Sequence, residues 1–306
     1  MDRENSIAEN IRMLETFTSA FAEFFQRCDK KSLFKRFPPK ETAEAATRML
    51  ADGRYLLRFS EFQFQADDCR AIALDLFDLL KKHLSDKEEA INRIQDVFMT
   101  EKIEMIDFLA SIFSNQGNDV INIVRKFGLA EDLTTFFAIY LARPFRARAA
   151  HLLTDDVDLQ NWSYGYCPVC GHWPVLSHID GKEGHRTLWC LHCGTYWSFK
   201  RIQCAYCLND NHETLEIISP VSQESYRVQV CNKCRRYLKE VRSSETVDKF
   251  PFDTVYLGTL TLDLLAKKEG YIQESNLTVR YDNPDGNELM LYRQETNRQE
   301  SSMKPV

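Results

Sequence analysis

Apolar residues recur every three or four positions through the first 150 residues, the period of helices that bury one face. Ile7, Ile11, Leu14, Phe17, Phe21, Phe24 and Phe25 form one such stripe, which ends near Pro38 and Pro39, where the amide is missing and the backbone restricted. The pattern predicts further helices over about 41–51, 66–84, 87–113, 120–126 and 132–141. Gly53, Ser85 with Asp86, and Gly117 with Asn118 supply the breaks. Phe108, Phe113, Phe136 and Phe137 lie at helical spacing and are expected to fill a helical core. Pro144 should kink the chain or start a new helix.

From Asn161 the helical period disappears, and Cys, His, Gly and Trp cluster instead. Short strand-like pieces stand at 187–189, 197–199 and 226–230. After Lys249 one more amphipathic helix is expected, with Val255, Leu257, Leu260, Leu264 and Leu265 on its apolar side. Residues 277–293 suit a hairpin turning at Pro284 to Gly286, and the final dozen read as disordered. The fold class is therefore α+β and multidomain. Residues 1–160 make an all-α domain, 161–249 two tandem four-cysteine ribbons, and 250–306 a C-terminal helix, hairpin and tail.

A chain of 306 residues is long enough for more than one core, and 44% apolar with 27% charged residues is ordinary globular composition. No stretch approaches the roughly 18 apolar residues of a membrane span, and the start, MDRENSIAEN, lacks a signal-peptide pattern. A cytoplasmic location is expected. There, ten cysteines are poor disulfide partners, and their spacing points to metal ligation. The net charge of −6 argues against a chain that grips nucleic acid along its length. Residues 161–242 hold ten Lys and Arg against seven Asp and Glu, too small an excess to imply such a site alone.

Four CxxC pairs fall within 68 residues: Cys167 and Cys170, Cys190 and Cys193, Cys204 and Cys207, Cys231 and Cys234. Two residues between cysteines let both thiolates of a tight turn face one ion, and two such turns complete a tetrahedral site. Four turns complete two sites. Sequential pairing is simplest, with 19 and 23 residues forming the hairpins; interleaved pairing stays open, because ten residues between Cys193 and Cys204 can reach across. A redox CxxC of thioredoxin type needs an alternating βα context that is missing here. Gly171 and Gly194 follow the second cysteines of the first site, where a left-handed backbone is useful. Leu208 and Arg235 hold those places in the second, whose turns should be less regular or strained.

His151, His172, His178, His185, His192 and His212 lie in or near this segment and invite a catalytic metal. Eight thiolates, however, fill two tetrahedral shells and leave no position for an activated water. His172 and His192, beside the ligands, are the best candidates to support them from outside the coordination shell.

The stretches CPVCGHWPV, RTLWCLHCGTYWSFKRIQCAYC and YRVQVCNKCRRYLKEV resemble the formate dehydrogenase accessory protein FdhE family in the order and spacing of all four pairs. The resemblance covers roughly Tyr164 to Val241 and extends weakly to LARPFRARAA and LDLLAKKEGY. Leu208 departs from the family's usual Gly, and the tail after Tyr271 departs from its usual ending. Neither change removes a ligand. The resemblance implies an assembly factor and not an enzyme. Its ribbons would be rubredoxin-like and associated with iron, and its partner the catalytic subunit of a formate dehydrogenase. On physical grounds alone, four thiolates accept zinc or iron.

Two other functions fit parts of the pattern. A nucleic-acid-binding zinc ribbon would use Lys200, Arg201, Lys233, Arg235, Arg236 and Lys239 with Trp173, Trp189, Tyr196 and Trp197 as stacking surfaces. A rubredoxin-like electron carrier would leave the large helical domain without a role. Nothing in the sequence sets the oligomeric state.

Overall fold

The computed structural model describes residues 7–29, 33–36, 43–57, 63–100, 103–113, 118–181, 183–221 and 223–273. The expected hairpin at 277–293, the tail, Pro38, Pro39 and Gly117 lie outside them.

The helical period becomes α1 (Ile7–Asp29), α2 (Ala43–Ala51), α3 (Ala66–His83), α4 (Glu88–Met99), α5 (Met105–Phe113), α6 (Asn118–Phe127) and α7 (Glu131–Thr154). A two-stranded ribbon, β1 (Phe34–Arg36) with β2 (Gln63–Phe64), joins the segments before and after α2. The α1 stripe turns Ile7, Phe21, Phe24 and Cys28 inward. Phe108 and Phe137 are buried with it, and Phe136 stacks on Tyr140 at 4.2 Å between ring centroids. The Phe113 side chain lies outside what is described.

Two expectations are corrected here. The single helix over 87–113 is two: α4 ends at Met99, with Thr100 as its C-cap, and α5 begins at Met105. Pro144 starts no new helix: it sits inside α7, a 24-residue helix. Residues 137–146 of α7 are buried without interruption, so packing on every side holds the helix through the lost amide hydrogen bond.

Six strands form the principal sheet: β3 (Leu176–Asp180), β4 (Arg186–Trp189), β5 (Tyr196–Phe199), β6 (Leu215–Ile218), β7 (Tyr226–Cys231) and β8 (Tyr237–Ser243). Their spatial order is β5-β4-β3-β8-β7-β6. Each ribbon supplies an antiparallel trio, and the trios join where β3 runs parallel to β8, Leu176 opposite Lys239 through Asp180 opposite Ser243. The two ribbons therefore share one sheet.

The seam between the trios is polar and buried. Glu240 on β8 accepts from Arg227 Nε at 2.7 Å, lies 3.5 Å from Arg186 Nε, and accepts from the Ser177 hydroxyl at 3.4 Å. Arg186 also donates to the Gln203 carbonyl and the Gln229 amide oxygen, both at 2.8 Å.

The helix expected after Lys249 is two short ones, α8 (Phe252–Gly258) and α9 (Leu260–Lys268). Thr259, buried between them, turns its hydroxyl back to the Val255 carbonyl at 2.7 Å. This break resets the helical phase. Leu262 and Ala266 become the buried residues of α9, while Leu260 and Leu264, expected on the apolar side, are exposed. Gly258 permits close packing of α8 on α1, since a Cβ there would stand 2.3 Å from Ile11 Cγ1. Lys239 of β8 reaches across to Asp263 at 2.9 Å and fastens α9 to the sheet.

One buried apolar cluster runs from α1 through α3 and α7 into Cys167, Cys170, Cys190 and Cys193 and on to Cys204 and Cys231. The helices and the cysteine segment do not have separate cores.

Candidate metal centres

All four CxxC turns are built alike. The amide four residues after the first cysteine donates to that cysteine's carbonyl: Gly171 to Cys167, Gly194 to Cys190 and Leu208 to Cys204 at 3.0 Å, Arg235 to Cys231 at 2.8 Å. The first cysteine's own amide donates forward to the carbonyl of His172, Thr195, Asn209 or Arg236, at 2.8 to 3.0 Å. Such closure requires a left-handed residue after the second cysteine. Gly171 and Gly194 take it at φ 75°, Leu208 at 55° and Arg235 at 58°. The second site's turns are thus as regular as the first's, and the expectation of irregularity or strain is met by strain. The strain is present, at roughly 1–2 kcal/mol for each non-glycine residue.

The sequential pairing holds. Cys167, Cys170, Cys190 and Cys193 bring their sulfurs together at one site, Cys204, Cys207, Cys231 and Cys234 at the other, all within 4.8 Å of one another in each group. Cys167 to Cys193 and Cys170 to Cys190 are 3.5 Å apart; Cys204 to Cys234 and Cys207 to Cys231 are 3.7 Å apart. A tetrahedral ion with sulfur bonds of about 2.3 Å sets its sulfurs about 3.8 Å apart, so both groups fit one.

The sites differ in environment. All four cysteines of the first are buried, whereas Cys207 and Cys234 of the second are partly exposed. Burial pushes the Cys167 and Cys170 thiols well above the usual range. Burial acts the same way on Cys193, but hydrogen bonds from Cys167, Cys170 and Cys190 outweigh it and hold that sulfur well below. In the second site the Cys204 hydrogen bond pulls Cys234 down to about 5, and burial raises Cys207 to about 11.

Different elements grip each turn. Leu56 and Leu57, between α2 and α3, donate their amides to the Pro168 and Val169 carbonyls inside CPVC, at 3.0 and 2.8 Å. CAYC rests on the first ribbon: Tyr206 donates to the Pro174 carbonyl at 3.3 Å, and Gly165 has no Cβ because one would lie 1.7 Å from the Ala205 carbonyl oxygen. CNKC is held by the chain after α9, where Arg235 donates to the Glu269 and Gly270 carbonyls and stands 4.1 Å over the Tyr271 ring.

Of the six histidines, His172 and His192 are buried and stacked, with ring centroids 3.7 Å apart, beside the first site. His178 is buried against Phe250, and His151, His185 and His212 are exposed. Sequence reasoning missed Arg143 and Arg146, both buried on α7. Arg143 pairs with Asp253 of α8 and stands 5.4 Å over the Trp189 ring. Their signal was available as two arginines three residues apart in a stretch, 137–146, that is otherwise apolar, a costly arrangement unless partnered.

If the second site is the weaker, a chelator at neutral pH strips it first, at least roughly tenfold sooner, since about 1.4 kcal/mol supplies a factor of ten and two strained residues carry about 2–4 kcal/mol. Its partly exposed Cys207 and Cys234 point the same way. Leu208→Gly should narrow the gap. Simultaneous loss from both sites, followed in single-site variants, would count against this order.

A helical array packed on one sheet that carries two four-cysteine clusters of metal-binding geometry is the class that fold and site define. The family profile described as FdhE, central domain, matches residues 166–201. An FdhE homolog from Aquifex aeolicus (strain VF5) is 26% identical over 229 residues, 73% of this chain and 74% of that one. FdhE from Salmonella paratyphi A is 33% identical over 113 residues, 36% of each chain. The fold is shared with the crystal structure of the FdhE protein from Pseudomonas aeruginosa, at a TM-score of 0.57 and 18% identity over 89% of this chain and 95% of that one. Family profile, relatives and fold all indicate the FdhE family. No helix among the described residues is long and apolar enough to cross a membrane.

Proposed function

We propose that this protein is an assembly factor for a formate dehydrogenase, acting in the cytoplasm after synthesis of the catalytic subunit and binding that subunit through its ribbons. It is not itself an enzyme. The supporting observation is the pair of four-sulfur clusters in a chain similar to FdhE proteins. With one ion each, iron of the rubredoxin type or zinc, every tetrahedral position is filled by sulfur, which suits a docking or electron-holding element and not hydrolysis. The division at about residue 160 is then one of roles, helices on one side and metal ribbons on the other, over a common core.

The nucleic-acid alternative loses part of its surface: Trp189 and Trp197 are buried, and Lys239 is spent on Asp263. Metal analysis with a visible spectrum of anaerobically purified protein separates the ions, since ferric iron in four thiolates absorbs visible light and zinc does not.

Deleting the gene should abolish formate dehydrogenase activity while the catalytic polypeptide stays detectable. Wild-type protein should restore activity and co-purify with that polypeptide, and a Cys204→Ser, Cys207→Ser variant should do neither. Full restoration and equal recovery with the variant would move the function away from the ribbons.

A further inference from the structure

Arg146 has no exposed surface, although a guanidinium is among the costliest groups to bury. Its two terminal nitrogens reach different elements. Nη1 lies 2.9 Å from Nδ1 of His192, to which it donates, and Nη2 donates at 2.8 Å to the carbonyl of Ile112. Ile112 stands in the last turn of α5, where carbonyls lack partners within the helix and carry partial negative charge. His192 stands between the paired cysteines of CLHC.

The contacts continue past His192. Its ring stacks on His172 at 3.7 Å, and His172 Nδ1 donates to the Cys170 carbonyl at 3.2 Å, inside CPVC. A single line of polar and ring contacts thus runs from α5 through Arg146 to both turns of the first site. In the second site CNKC is instead held by the chain after α9, so the two sites are tied to different parts of the fold.

We propose that Arg146 is a positioning residue of the first site: through His192 it fixes the CLHC turn to the helices, and its charge offsets that of the metal-thiolate group. This rests on the reading that Cys167, Cys170, Cys190 and Cys193 hold an ion. Four thiolates around a divalent ion carry a net charge of −2, and a buried anion needs a nearby cation. Burial lowers the basicity of Arg146, and the neighbouring Cys170, Cys190 and Cys193 partly oppose it. Arg143, near Cys190, is held by Asp253, and α7 thus turns two cations toward this site. A side chain of the helical segment is in this way part of the metal centre, and the ion in the first site becomes the joint between helices and sheet.

The test uses full-length protein loaded with cobalt(II), whose thiolate charge-transfer absorption reports each site. Bands are assigned with a Cys204→Ser variant, and helicity is checked by circular dichroism. Arg146→Met should weaken cobalt binding at the first site by about 10–100-fold, the usual effect of removing a group that orients ligands, and leave the second unchanged. His192→Gln should behave like Arg146→Met, and Arg146→Lys, which keeps charge but loses the fork, should fall between. If Arg146→Met does not fold, the other two variants carry the same comparison. Equal weakening at both sites would reduce Arg146 to a general packing role, and unchanged affinity at the first site would overturn the proposal. Failure of the wild type to bind two cobalt ions would overturn the ligand assignment instead.

Discussion

Replacing Cys190 and Cys193 together with serine lowers bound metal from two ions toward one, and the helices melt with the sheet at a markedly lower temperature. From sequence, the helical domain is expected to survive this change, on the premise of separate cores. The structure removes that premise. Cys190 and Cys193 belong to the same buried cluster as Phe24, Phe77 and Phe145, and CPVC accepts backbone hydrogen bonds from Leu56 and Leu57. A structural four-thiolate ion contributes on the order of 10–16 kcal/mol of apparent binding energy, comparable with the whole net stability of about 5–15 kcal/mol of a folded domain. Metal analysis with a thermal melt followed by circular dichroism checks it. Two full metal equivalents would refute the ligand assignment, and an unaltered helical melt would restore the idea of independent cores.

Glu240→Ala has the second largest expected effect, about 3–5 kcal/mol, because it leaves Arg186 buried at the seam without its carboxylate. Both side chains are almost wholly shielded, at 0% and 3% exposure, so water cannot take the place of the lost partner. Arg227→Ala, acting on the other oxygen of Glu240 from a site with 17% exposure, should cost clearly less. The measurement is the shift in urea midpoint for each variant. Equal, small shifts would mean that the seam is held by strand pairing alone, and that the charged cluster adds nothing to the joining of the ribbons.

Much of the candidate site is written locally. Each CxxC turn closes on backbone bonds that span four or five residues, so spacing alone identifies all eight cysteines and makes sequential pairing the simplest arrangement. The strain at Leu208 and Arg235 follows equally from sequence, because only glycine takes a left-handed backbone without cost. Amphipathic helices with one wet face, such as α1 and α3, carry their period openly. So do β4, β5 and β7, where runs rich in aromatic and β-branched residues adjoin the cysteine turns.

What needed the tertiary structure is whatever has no wet face or draws its meaning from a distant partner. β3 and β8 lie at the centre of the sheet, buried along nearly their whole length, so no alternation marks them. Their buried Ser177, His178, Lys239 and Glu240 read as surface residues until Arg186, Phe250 and Asp263 are seen beside them. α7 passes through Pro144 because it is packed on all sides, which a one-dimensional period cannot express. Arg146 meets His192 across 46 residues of sequence, and Leu176 meets Lys239 in a parallel pairing that fuses two ribbons. Short-range geometry specifies the sulfur turns; burial and long-range pairing, which exist only in the folded chain, decide what those turns are attached to.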